Sequence, residues 1–157
     1  KASTSKLISN DAIDLSLLIT DNYAMDTLVE PMWLYAQADL LASQHRFDDA
    51  RFKLDSLVTT WPGHALEDEV LMQLAEMALS ENRVDTAMTF LQEIVDLHFD
   101  DIVADDALFK LAQLHDERLN NPEVALPLYE QLLFEFPGSL YAVEARRRFR
   151  LLRGEED

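Results

Sequence analysis

The chain has 157 residues, of which 48% are hydrophobic and 27% charged, with three glycines and five prolines. That suits one domain burying roughly 70% of its unfolded surface and excludes a low-complexity or disordered chain. Thirty acids against 13 bases leave a net charge of −17, which argues against nucleic acid or an anionic lipid surface as ligand and fits either a plain soluble surface or a cationic partner. The lack of cysteine removes disulfides, thiolate metal sites and cysteine nucleophiles.

No apolar run approaches the roughly 20 residues that cross a bilayer. No signal peptide opens the sequence, and a start at Lys1 leads us to expect a fragment or processed product of a longer protein. Residues 1–30 follow no repeat. Within them Asp11 to Ile19 is apolar at helical spacing, with Asn10 as a cap, and predicts a short helix packed on the first repeat unit.

From about residue 31 the chain repeats itself. The first unit predicts a helix around Ala38 with Trp33, Leu34 and Leu41. Then come the turn segment Ser43 to Ala50 and a second helix striped by Leu54, Leu57 and Val58. It closes on Trp61-Pro62-Gly63. The second unit places Val70, Leu71 and Leu74 around Ala75, and its segment Ser80 to Ala87 lies 37 positions after Ser43 to Ala50. Its stripe is Leu91, Ile94 and Val95, and its closure His98-Phe99-Asp100. The third places Leu108, Leu111 and Leu114 around Ala112. Its marker Ala125 comes 38 positions after Ala87, which predicts one extra loop residue. Tyr129, Leu132 and Leu133 follow, then Phe136-Pro137-Gly138.

Offsets of four, seven and eight mark a helix with one buried face. Proline and glycine stop it, and an aromatic before them seals the core. Alanine recurs where two helices must approach closely, since a larger side chain would hold them apart. Asn121 before Pro122 and Ser139 after Gly138 read as helix caps. Asp48, Asp49, Glu67, Asp68, Asp105 and Asp106 fall in first turns, where the helix dipole favours carboxylates.

These residues resemble the tetratricopeptide repeat family. Ala38, Ala75 and Ala112 stand at its first small position, Ala50, Ala87 and Ala125 at its second, and Pro62 and Pro137 at its closing proline. The spacings are longer than the family's usual period, and Phe99 stands where its proline is expected. The closing Phe136-Pro-Gly-Ser-Leu-Tyr-Ala142 run, followed by Glu144-Ala145-Arg146, looks like the envelope subgroup of Gram-negative bacteria. That subgroup includes an outer-membrane assembly lipoprotein and a Tol-Pal coordinator. The resemblance implies an all-α fold: a right-handed superhelical solenoid of antiparallel helix pairs, about three repeats and a C-terminal capping helix. The expected division is an N-terminal segment 1–30, a repeat domain 31–153 and a tail 154–157. Within the domain we expect units at about 31–66, 67–103 and 104–141 and a final helix at 140–153.

Family geometry implies a concave groove lined by the first helix of each pair. Its positions are Met32, Tyr35 and Asp39; Met72, Gln73 and Glu76; Phe109, Lys110 and Gln113; and Arg146, Arg147 and Arg150 from the last helix. Such a groove would take an extended or helical peptide by apolar anchors, oriented by acid toward one end and arginine at the other. The same apolar residues would serve as plain core if the chain were a structural spacer or oligomerisation segment of a longer solenoid. A third reading, an acidic binder of basic partners, predicts affinity that collapses with salt. The expected setting is periplasmic or outer-membrane-associated without membrane insertion, with the cytoplasm as alternative. Homo-oligomerisation is compatible with any of these readings.

Catalytic, cofactor and metal residues are not expected. His45, His64, His98 and His115 lack metal-ligand spacing. Asp100, Asp101, Asp105 and Asp106 lack the alternation and central glycine of a calcium loop. Gly63, Gly138 and Gly154 are too isolated to cradle phosphate.

Overall fold

The computed structural model describes residues 29–99 and 103–155. The expected helix at Asp11 to Ile19 and the pair Asp100 and Asp101 lie outside them. The fold is all-α and tetratricopeptide-like. In chain order the helices are α1 (Val29–Ser43), α2 (Phe47–Thr60), α3 (Glu67–Ser80), α4 (Val84–Leu97), α5 (Ala104–Gln113), α6 (Pro122–Glu135) and α7 (Ala142–Leu152). A π-helical turn, Leu114–Arg118, extends α5. No strand occurs among the described residues. The last helix starts at Ala142, two residues later than expected, because residues 137–141 form turns after Pro137.

The chain divides into two compact units, residues 1–70 and 71–157, with the division inside α3. In the first, α1 packs against α2, with Leu54 and Leu57 among the fully buried side chains. Trp33 stands 63% exposed, so it does not join the core its spacing suggested. In the second, α5 packs on α4 and α6, and α7 packs on α6. Leu91, Ile94, Leu108, Leu111, Tyr129 and Leu132 build its core.

All six marker alanines are 0% exposed. Small side chains at these crossings let the helices of a pair close on each other. The repeat also shows in the backbone. Trp61, His98 and Phe136 end the second helices, each N–H donating to the carbonyl four residues back at 2.8–2.9 Å. Phe99 and Phe136 then meet at 5.0 Å between ring centroids and seal that end of the second unit's core.

The turns inside the pairs carry a left-handed residue: His45 (φ 58), Asn82 (φ 59) and Asn120 (φ 48). After α1 and α3 this residue sits in a Schellman closure, where Arg46 N–H reaches Leu41 O at 2.9 Å and Arg83 N–H reaches Ala78 O at 2.8 Å. The third turn differs. The extra residue expected in the loop is instead taken up by the helix, whose π-turn closes through Leu119 N–H to Leu114 O at 3.0 Å. Asn121 holds the cap position ahead of Pro122, yet its side chain makes no capping hydrogen bond. Ser139 Oγ accepts the Tyr141 N–H at 3.1 Å, bracing the turn before α7 and not the helix terminus itself.

Candidate functional site

The second unit brings together several of the residues expected to line a groove. Lys110, on α5, sends its ammonium to Glu76 Oε1 on α3 at 2.9 Å and to Asp106 Oδ2 one turn earlier on α5, also at 2.9 Å. The same nitrogen lies 3.7 Å from Met72 Sδ. Burial disfavours the charged ammonium, but the two carboxylates outweigh that cost and hold its pKa above the ordinary lysine range. Lys110 is therefore a fixed cation bracketed by anions.

Beside it, Phe109 stacks on Tyr141 with ring centroids 4.6 Å apart and planes 14° from parallel. Tyr129 approaches the same ring at 6.1 Å with its plane tilted by 56°. Burial, helped by the Asp106 charge, pushes the Tyr141 hydroxyl up to about 12, so it remains a neutral donor at physiological pH. Met72 and Phe109 are 7% and 8% exposed, so this pair fills the core more than it floors an open channel. Gln73 is buried, Gln113 half-buried and Glu76 exposed.

A second cation repeats the arrangement. Stepping by the repeat spacing carries Gln73 to Lys110 and on to Arg148, and carries Glu69 to Asp106 and on to Glu144. Arg148 Nε meets Glu144 Oε1 at 3.1 Å, and its guanidinium also pairs with Glu117 and lies 3.5 Å from Asp116. Each of these two cations thus joins an acid on its own helix to acids carried by the preceding first helix. Arg147 Nε adds a bond to Glu144 Oε2 at 2.8 Å. Hydrogen bonding from Arg147, then from Arg148, draws the Glu144 carboxyl down to about 2 against the opposing effect of burial.

Arg146 and Arg150 are exposed and lie off this register, whereas Arg147 falls in line with Met72 and Phe109. On α1, in the first unit, Met32 and Tyr35 are buried and Asp39 is half-buried. Sequence reasoning missed Asp106, Tyr141 and Arg148. Asp106 looked sufficiently explained by its first turn, and Tyr141 by the closing motif. The available signal was register: the same 37- and 38-residue steps that align the alanines align Lys110 with Arg148.

The arrangement offers hydrogen-bond acceptors, amides and aromatic faces on the first helices of the second unit. Among the described residues, no group of three or more His, Cys, Asp or Glu is placed to hold a metal ion. No described helix is long and apolar enough to cross a membrane.

No curated protein matches the chain. Tetratricopeptide repeats generally mediate protein–protein interaction and typically form non-catalytic scaffolds. Residues 106–139, from the first turn of α5 to the serine after Pro137-Gly138, match the family model of the tetratricopeptide repeat and tie the third helix pair to that family.

Proposed function

We propose that the chain is a non-catalytic scaffold that binds a peptide or protein partner along the first helices of its pairs, within a repeat body at 31–153. The carrying observation is the Glu76–Lys110–Asp106 cluster beside the stacked Phe109 and Tyr141. Glu76 and Gln113 give this face accessible polar groups, and Lys110 ties Glu76 on α3 to Asp106 on α5. A partner would meet ordered acceptors and amides there, with little ordering entropy left to lose. In this reading the aromatic pair supports the site from below, and the anchoring contacts come from the half-buried and exposed positions.

The burial of Met72, Phe109, Met32 and Tyr35 supports a second reading. In it the chain is a spacer or oligomerisation segment of a longer solenoid, and the charged cluster is a brace between successive helices. For the setting, the run Phe136 to Arg146 supports a protein of the bacterial envelope, in the periplasm or at the outer membrane.

A photoreactive residue at position 113 or 76 separates the two. The scaffold reading predicts a crosslink to a different protein that is lost in Lys110→Glu, whose helicity stays intact. Adducts with another copy of the same chain alone would replace it with the spacer reading.

A further inference from the structure

A concave surface lies elsewhere in the second unit, along α4. It is a cleft of about 610 Å³ between α4 and the α5 π-turn. Its floor is the half-buried Met88 and the buried Leu111, and the exposed Thr89 and Gln92 also line it. Its rim is acidic, formed by Asp85, Glu93 and Asp96. Leu111 is about 200° around α5 from Phe109 at 100° per residue, so the cleft and the first-helix cluster occupy different faces. They share no residue.

Two features set this cleft apart from an ordinary solvated acidic face. Leu97 is 71% exposed at its edge, apolar surface that no described residue covers. No lysine or arginine among the described residues pairs with the three carboxylates, although Arg83, Lys110 and Arg148 are all engaged with other acids. Gln92 Nε2 donates to Asp96 Oδ1 at 2.8 Å and holds that carboxylate in place. The opposite wall is His115, presented by the π-turn that only the third pair contains; the corresponding position of the second pair is Ala78. Burial lowers the His115 pKa, so the imidazole adds no positive charge to offset the rim.

We propose that this cleft binds a linear basic peptide in extended form, with one apolar side chain between two cations. Complementarity of charge selects the cations, and the floor selects the residue between them. Geometry sets their spacing. Asp85 and Asp96 are eleven positions apart, which places them within about 20° of one another around α4 and roughly 16 Å apart along it. An extended chain rises about 3.3 Å per residue, so five steps span the same distance.

The test uses a labelled Arg-Ser-Leu-Ser-Ser-Arg peptide and fluorescence anisotropy with the intact chain at low and moderate salt. The proposal expects saturable binding that weakens at least tenfold in Asp85→Asn/Asp96→Asn. It also expects several-fold weakening when the peptide's leucine becomes serine. Glu123→Gln/Glu130→Gln removes the same charge from exposed positions on α6 and should leave binding within about twofold. Circular dichroism of each variant checks that helicity is retained. Equal weakening by the α6 pair, or indifference to the leucine, would reduce the interaction to attraction by net charge and overturn the proposal. Self-association that Leu97→Ser abolishes and the peptide fails to displace would overturn it too, by assigning the cleft to a second copy of the chain. Because no residue is shared with the first-helix face, none of these outcomes bears on the scaffold reading.

Discussion

The turn between α3 and α4 and the turn between α5 and α6 join equivalent helices by different backbones. The first closes with a left-handed Asn82 directly after a regular helix. The second also has a left-handed asparagine, Asn120, but reaches it through the π-turn Leu114–Arg118. One inserted residue therefore leaves the crossing of marker alanines intact, since Ala87 and Ala125 are equally buried. What changes is the helix end, where Asp116 and Glu117 meet Arg148 and Asp116 accepts from Tyr129 Oη at 3.3 Å. An insertion that would only lengthen a loop here supplies acids that hold the final helix.

The largest break in that comparison should come from the core beneath the turn. Tyr129 and Leu91 are equivalent and both 0% exposed. Tyr129→Ala should cost about 3 to 5 kcal/mol, and Tyr129→Phe, which removes only the bond to Asp116, about 1 kcal/mol. Denaturant midpoints would measure both. Arg148→Met should cost about 1 to 2 kcal/mol because three carboxylates lose one partner, more than an isolated surface pair would. Lys110→Met, with two carboxylates, should cost less.

Deleting Arg118 makes the third spacing equal to the second. It should leave helicity unchanged and cost about 1 kcal/mol or less, while Arg148→Met should lose much of its effect in that background. Additive costs would mean that the π-turn does not position the acids.

The smallest effect concerns acid. Glu144 falls from its ordinary value of 4.5 to about 2 in the folded chain. Its contribution is complete above the unfolded value and fades as pH drops from about 4.5 toward 2. Glu144→Gln should lower stability slightly near pH 7, because the half-exposed group is screened, and that deficit should vanish as pH falls toward 2, flattening acid unfolding over the interval.

Most of the fold was legible because alanine at a crossing is a steric demand, and steric demands recur with the period. Ala38, Ala75 and Ala112 could be paired with Ala50, Ala87 and Ala125 by counting alone. The conformation of the inserted residue could not be read that way, since one extra position fits a loop or a π-turn equally well. His45 gave little sign of a left-handed turn, although Asn82 and Asn120, at the matching positions, are residues that tolerate it. The candidate site was half visible. Met72, Glu76, Phe109 and Lys110 were named from position along their helices, and Lys110 does meet Met72 and Glu76. The burial of Phe109 was not visible, because Tyr141 stacks over it from the turn before α7. Arg148 was hidden among neighbouring arginines that only register tells apart.

The fold rests on paired helices touching at recurrent alanines, and thermal unfolding of Ala87→Leu tests that most directly. Overpacking a side chain that is 0% exposed should cost about 1 to 3 kcal/mol and lower the midpoint by several degrees. Ala125→Leu, one repeat later, should match it. Two melting curves that superpose on that of the unaltered chain would contradict the claim.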